Sequence, residues 1–147
     1  MPIKRPQLVN NEIYHIVIRG AGDSLIFKNE DDRYRAIFSL YEFNTKGSIE
    51  IREQRKKRKI IKASGEPFSD NRKLLVEIWA FWFMSNHIHL ALAEVEERGI
   101  VRYMQRVLDA YAKYFNTKYE MVGHLFQGPY RAVHISSNDQ LLYLSSY

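Results

Sequence analysis

The chain has no cysteine, which excludes a disulfide framework and any thiolate metal site and fits a reducing compartment. It has no long apolar run either. The opening Met1-Pro-Ile-Lys-Arg-Pro6 carries no apolar signal core, and no later stretch approaches bilayer-spanning length, so a cytoplasmic location without a membrane partner is expected. A general basic excess is also missing, although the formal net charge is +5. Of 22 Lys and Arg and 17 Asp and Glu, seven bases and one acid lie between Arg52 and Lys62, leaving 15 bases against 16 acids elsewhere. The basic character is therefore local, and such a run is either a solvated loop or an electrostatic contact for nucleic acid. What remains is a chain of 147 residues with 46% hydrophobic content. That is enough for one domain over residues 1–147 with a proper core, and too short for two comfortable ones.

Alternation of period two marks a first strand over residues 12–19, with Tyr14, Ile16 and Ile18 on one face and Ile13, His15, Val17 and Arg19 on the other. Gly20-Ala-Gly22 ends it. Asn29 then offers an N-cap, with Glu30, Asp31 and Asp32 placed to meet the positive end of the helix dipole. Tyr34, Ile37, Phe38 and Tyr41 recur at helical spacing, which predicts a helix to about Asn44 with that aromatic stripe in the core. Ile49 and Ile51 suggest a second strand, and residues 52–70 read as a basic, turn-rich loop insertion. Residues 74–84 form a long apolar strand. Ser85-Asn86 either closes a hairpin or bends one continuous strand at a bulge. Ile100, Met104, Val107, Leu108, Tyr111, Tyr114 and Phe115 make a helical stripe, opposite Arg102, Arg106 and Lys113, whose bases are a wetted helix face or phosphate contacts. Residues 130–135 read as a strand with Arg131 and Val133 on one side, Ala132 and His134 on the other. Ser137-Asn-Asp-Gln140 has the form of a capping box opening a last helix. This order predicts an α+β fold: an antiparallel sheet with helices over one face and the other face open.

The chemistry concentrates after residue 84. His87 and His89 point to one side of a strand, Ile88, Leu90 and Leu92 to the other. With the apolar trio beneath the helices, both imidazoles lie on the open face, about 7 Å apart along the strand. They can then share one divalent metal. His15 joins that face if Tyr14, Ile16 and Ile18 are buried, and Ala91 and Ala93 would leave room above the sheet for a ligand. Spacing alone equally fits two histidines on a solvated face. A pair of imidazoles without cysteine also needs an oxygen or amide ligand.

Met84-Ser-Asn-His-Ile-His-Leu90 resembles the Met-Pro-Asn-His-hydrophobic-His-hydrophobic signature of the single-tyrosine HUH transposases, found in small bacterial insertion sequences and as REP-associated tyrosine transposases. The ordered matches cover almost the whole chain. They include Tyr14-His-Ile-Val-Ile-Arg-Gly20 with Ile26-Phe27, Tyr111 to Asn116, Gly123-His-Leu-Phe-Gln-Gly128, and Leu141-Leu-Tyr-Leu-Ser-Ser-Tyr147, which resembles the start of the family's last helix. The resemblance implies a ferredoxin-like (RRM-like) fold whose C-terminal helix carries a nucleophilic tyrosine. It also implies a reaction: cleavage and rejoining of single-stranded DNA beside a hairpin through a 5′-phosphotyrosine, with a free 3′-hydroxyl and no ATP. By position it assigns the nucleophile to Tyr147, with Tyr143 one helical turn earlier as the alternative. It assigns a divalent metal, Mg²⁺ or Mn²⁺, to His87 and His89. DNA contacts would then fall to Arg19, Arg55, Lys56, Lys57, Arg58, Lys59, Arg102, Arg106 and Arg131, with His15 as a neighbour on the open face.

The family includes swapped dimers, so a homodimer is allowed. Three departures stand out. Ser85 replaces the usual proline, and Pro129 stands where arginine is common. The family's amide or carboxylate ligand, four residues after the nucleophile, would fall at position 151, so the domain is expected to be truncated at its C-terminal end. Two other classes stay open: a non-catalytic module binding single-stranded nucleic acid, and a metal-dependent phosphoesterase that uses water.

Overall fold

A computed structural model describes residues 8–47, 59–65 and 72–137. The first strand, β1 (Ile13–Arg19), is rich in β-branched residues and alternates as expected, with Tyr14, Ile16 and Ile18 buried. A short 3₁₀ turn over Ala21–Asp23 follows, with Gly22 at a φ of 63° that favours glycine. Helix α1 (Glu30–Glu42) starts where the sequence placed it: the Asn29 side chain accepts the Asp32 N–H at 3.1 Å.

The rotation of α1 differs from the expectation. Tyr34 is 67% exposed, and Ile37 and Tyr41 are exposed as well, so the aromatic stripe is not core. Asp32, Ala36, Ser39 and Leu40 face inward instead. The cause lies in the second long helix, α2 (Gly99–Lys118), whose side chains tether that other face. Tyr103 Oη donates to the Leu40 carbonyl at 2.6 Å, while Tyr114 Oη and Lys118 Nζ donate to the Asp32 carboxylate at 2.9 and 2.8 Å. A buried carboxylate with several donors outweighs a stripe of aromatics that water tolerates.

Strands β2 (Val76–Phe83) and β3 (His87–Glu94) form the hairpin, closed by Met84 N–H donating to His87 O at 2.9 Å. Asn44 pins the start of β2 to the end of α1. Its Oδ1 accepts from Leu75 N and Val76 N at 3.0 and 3.1 Å, and its Nδ2 donates to Val76 O at 2.9 Å. Pairing in the hairpin skips at Trp79: Ile78 stands opposite Leu92, but Ala80 stands opposite Ala91. This bulge reverses the reading by twos, so Trp82 joins the face of His89 while Phe81 and Phe83 go with Leu90 and Ile88.

The expected stripe on α2 is core at Ile100, Met104, Val107, Tyr111 and Phe115, joined by Tyr103, while Leu108 and Tyr114 are half-buried at its margin. Each such apolar side chain contributes roughly 1.5–3 kcal/mol of burial. Glu94 Oε1 accepts the Ile100 N–H at 3.0 Å and so serves as the missing N-cap of α2. The last described strand, β4 (Arg131–Ile135), pairs with β1 and shows the expected division of faces.

The four-stranded sheet is antiparallel in the order β2-β3-β1-β4. Each helix thus connects two strands that run in the same direction with a third between them. Ile18, Ile88, Leu90 and Phe83 meet Ala36, Leu40, Met104 and Val107, which fixes the helices on one face of the sheet. Residues 59–64 are helical, where the sequence suggested loop; Lys59 and Lys62 are exposed there. The strand expected at Ile49 and Ile51, residues 52–58 of the basic run and the last helix all fall outside the described residues. No helix among the described residues is long and apolar enough to cross a membrane.

Candidate metal centre on the histidine face of the sheet

The turn that presents His87 is held from outside the hairpin. The loop after β1 donates into it: Gly20 N–H to Asn86 O at 2.8 Å, and Ile26 and Phe27 N–H to Ser85 O at 2.9 and 3.3 Å. Gly20 is required at that approach, because a Cβ would collide with the Ser24 carbonyl. Both turn carbonyls are fixed in this way by backbone bonds that do not involve the Ser85 side chain.

Antiparallel partners share a face, so the register assembles the site. His87 stands opposite Arg19, His89 opposite Val17 and Trp82, and Ala91 opposite His15. On the other flank of β1, Arg131 stands opposite Val17 and Val133 opposite His15. His15, His87 and His89 are all half-buried on this face. His15 Nε2 and His89 Nδ1 are 2.9 Å apart, with ring centroids 5.1 Å apart and planes within 11°, which describes two imidazoles hydrogen-bonded edge to edge in nearly one plane. The Trp82 indole lies parallel to both, 4.8 Å from His89 and 5.8 Å from His15. His87 meets His89 edge to face at 4.8 Å, and its Nδ1 is 2.7 Å from Asn86 Oδ1. An amide oxygen only accepts, so His87 Nδ1 carries the proton and its Nε2 carries the lone pair.

Burial is the main cause that lowers the pKa of all three histidines. His89 is held down to about 4, with His15, His87 and Arg19 adding repulsion. Arg131 acts in the same direction on His15, and Arg19 on His87, where Asp23 partly opposes it. All three are therefore neutral at neutral pH, the state in which imidazole binds metal. Among the described residues no group of three or more His, Asp or Glu side chains is arranged to hold an ion.

The other expected site residues divide. Arg19 and Arg131 are exposed on the histidine face, Arg19 beside Asp23 at 3.9 Å. Arg102 and Arg106 lie on the helix layer, and their guanidinium groups hold the segment after α1: Arg106 donates to Thr45 O and Gly47 O at 2.6 and 2.9 Å, Arg102 to Lys46 O at 3.4 Å. Lys59 is on the helical segment at 59–64. Arg55, Lys56, Lys57, Arg58, Tyr143 and Tyr147 lie outside the described residues. Ala91 and Ala93 are 0% and 4% exposed, so the space expected over them is closed. Sequence reasoning missed Trp82, because the bulge hides its face, and missed the link from His15 to His89. It passed over Asn86 as a partner for His87, although the two are adjacent.

No family model matches the chain, and no curated protein matches it in sequence. Solved structures do. One is a REP-associated tyrosine transposase bound to a REP hairpin, with a TM-score of 0.57 and 13% identity over 100% of this chain and 70% of that one. Another is a protein proposed to be a transposase, from Deinococcus radiodurans R1, with a TM-score of 0.52 and 15% identity over 97% of this chain and 93% of that one. The chain shares their fold. The expected α+β class, with an antiparallel sheet and helices, is thus the architecture of two proteins described as transposases.

Proposed function

We propose that this chain is a transposase-type endonuclease of ferredoxin-like fold, which cuts and rejoins single-stranded DNA beside a hairpin through a 5′-phosphotyrosine. The reading is carried by the His87–His89 pair: two neutral imidazoles on one sheet face, each with its Nδ1 in a hydrogen bond, in a fold shared with a tyrosine transposase that binds a REP hairpin. The sheet order and the two interleaved strand–helix–strand connections support the ferredoxin-like assignment.

The residues fit a divalent cation. Both ligands are uncharged, both are oriented through Nδ1, and two nitrogen donors leave the remaining positions to oxygen, as Mg²⁺ and Mn²⁺ prefer. When bound, such an ion would polarise the scissile phosphate and offset its developing charge. Tyr147, with Tyr143 as the alternative, supplies the nucleophile. Its phenolic oxygen bonds to phosphorus, the bond from phosphorus to the 3′-oxygen breaks, and that oxygen leaves as a hydroxyl with the phenol's proton. The ester is conserved on the tyrosine, so the 3′-hydroxyl can attack it in reverse without ATP. Arg19 and Arg131 neutralise and align the phosphate backbone on the same face.

An adduct assay tests this. The chain is mixed with Mn²⁺ and a single strand carrying a REP-type hairpin, and denaturing electrophoresis is expected to show a covalent protein–DNA band. Tyr147→Phe, His87→Ala and His89→Ala are each expected to abolish it. Hydrolysed strand without an adduct would replace the reading by a phosphoesterase that uses water. Hairpin binding that survives chelator and Tyr147→Phe, with no cleavage, would replace it by a binding module.

A further inference from the structure

We propose that His15 is the positioning residue of the metal site: it accepts the Nδ1 proton of His89, and so fixes both the tautomer and the direction of that ligand. The inference rests on the metal reading of His87 and His89 and goes one residue beyond it. His15 comes from β1 and is 74 residues from His89 in sequence, yet the register sets Ala91 opposite His15 and so puts His89 diagonally beside it. The short Nε2···Nδ1 separation and near-coplanar rings leave room for one proton on the line between them. Two neutral arrangements exist. With the proton on His15 Nε2, the remaining His89 proton is on Nε2, and that nitrogen cannot ligate. With the proton on His89 Nδ1, Nε2 of His89 holds a lone pair, as Nε2 of His87 does by virtue of Asn86.

The two ligands are thereby matched in tautomer, one by a neighbouring amide and one by a histidine brought from another strand. Trp82 completes the device. Its indole lies parallel to both rings, and rotation of either imidazole out of the shared plane would turn an edge into that indole. A strand-borne acceptor and an aromatic roof are how a ligand is held in place before the ion arrives.

The test uses the whole chain and Mn²⁺ alone, with no DNA. Imidazole ¹⁵N spectra of the ion-free protein are expected to show His89 protonated at Nδ1. His15→Phe keeps a ring beside Trp82 but has no acceptor, and is expected to weaken Mn²⁺ binding by about 10–100-fold. His15→Gln restores an acceptor oxygen, and is expected to bind within a few-fold of the unaltered chain. Circular dichroism confirms that each variant is folded. Mn²⁺ binding by His15→Phe equal to that of the unaltered chain would overturn the role of His15 and leave the metal reading standing. So would a His89 proton found on Nε2, a result that needs no variant. A chain that binds no Mn²⁺ at all overturns the metal reading and this inference with it.

Discussion

Asp32→Asn changes one atom of a buried carboxylate, and its effect can be worked out. Asp32 Oδ1 accepts from Tyr114 Oη at 2.9 Å and Lys118 Nζ at 2.8 Å, and Oδ2 from Lys28 N at 2.8 Å and Tyr119 Oη at 2.6 Å. Burial alone would push the carboxyl upward, but the bonds from Lys118, Tyr119, Lys28 and Tyr114 together hold its pKa at about 2, below the ordinary 3.8. A native pKa below the unfolded one means stability that is present above 3.8 and is lost as pH falls through about 2. The difference amounts to roughly 2 kcal/mol at neutral pH. The asparagine cannot avoid placing an NH₂ against two donors, so roughly another 1–3 kcal/mol is lost to unpaired groups. A total of about 3–5 kcal/mol is expected by urea unfolding at pH 7, with the gap from the parent chain narrowing as pH drops from 4 towards 2. A loss under about 1 kcal/mol at pH 7, or a gap that is the same at both ends of that range, would refute the reasoning. The effect also reaches the site. Lys28 continues the loop whose Ile26 and Phe27 amides hold Ser85, so the variant is expected to loosen the turn that carries His87.

Other perturbations separate support from contact. Asn44→Ala removes three bonds between the end of α1 and the start of β2 and is expected to cost about 2–4 kcal/mol in the same unfolding assay. Gly99→Ala would drive a Cβ into the Leu75 carbonyl, so a lower melting temperature is expected, corresponding to roughly 1–3 kcal/mol. Arg131→Ala is expected to flatten the salt dependence of hairpin binding by about one phosphate contact. Arg106→Ala, whose guanidinium serves Thr45 and Gly47, is expected to lower stability with that slope unchanged. Tyr34→Ser, on the exposed side of α1, is expected to stay within about 0.5 kcal/mol of the parent chain.

These expectations also mark what the sequence made legible. Local rules carried the first strand, the Asn29 cap, the stripe of α2 and the shared face of His87 and His89, because each depends on residues within a turn or a pleat of one another. They failed where distant partners decide. The inward side of α1 is set by donors 82 to 87 residues beyond Asp32 in Tyr114, Lys118 and Tyr119, and no periodicity within the helix records them. The side taken by Trp82 depends on where an apolar strand skips a residue, and the six apolar residues in a row from Ile78 to Phe83 give alternation nothing to distinguish. The use of Arg106 follows from which carbonyls lie within its reach, not from its place opposite an apolar stripe.

The skip at Trp79 bears on how this chain can change over generations. Everywhere else in β2, gaining or losing one residue would exchange the two faces for the rest of the strand, sending Trp82 among the helices and Phe83 out beside the histidines. At the skip it would not. Removing Trp79, which is exposed, leaves Ile78 opposite Leu92 and Ala80 opposite Ala91, so every later residue keeps its side. The hairpin thus has one point at which its length can drift by a residue while the roof over His15 and His89 stays in place.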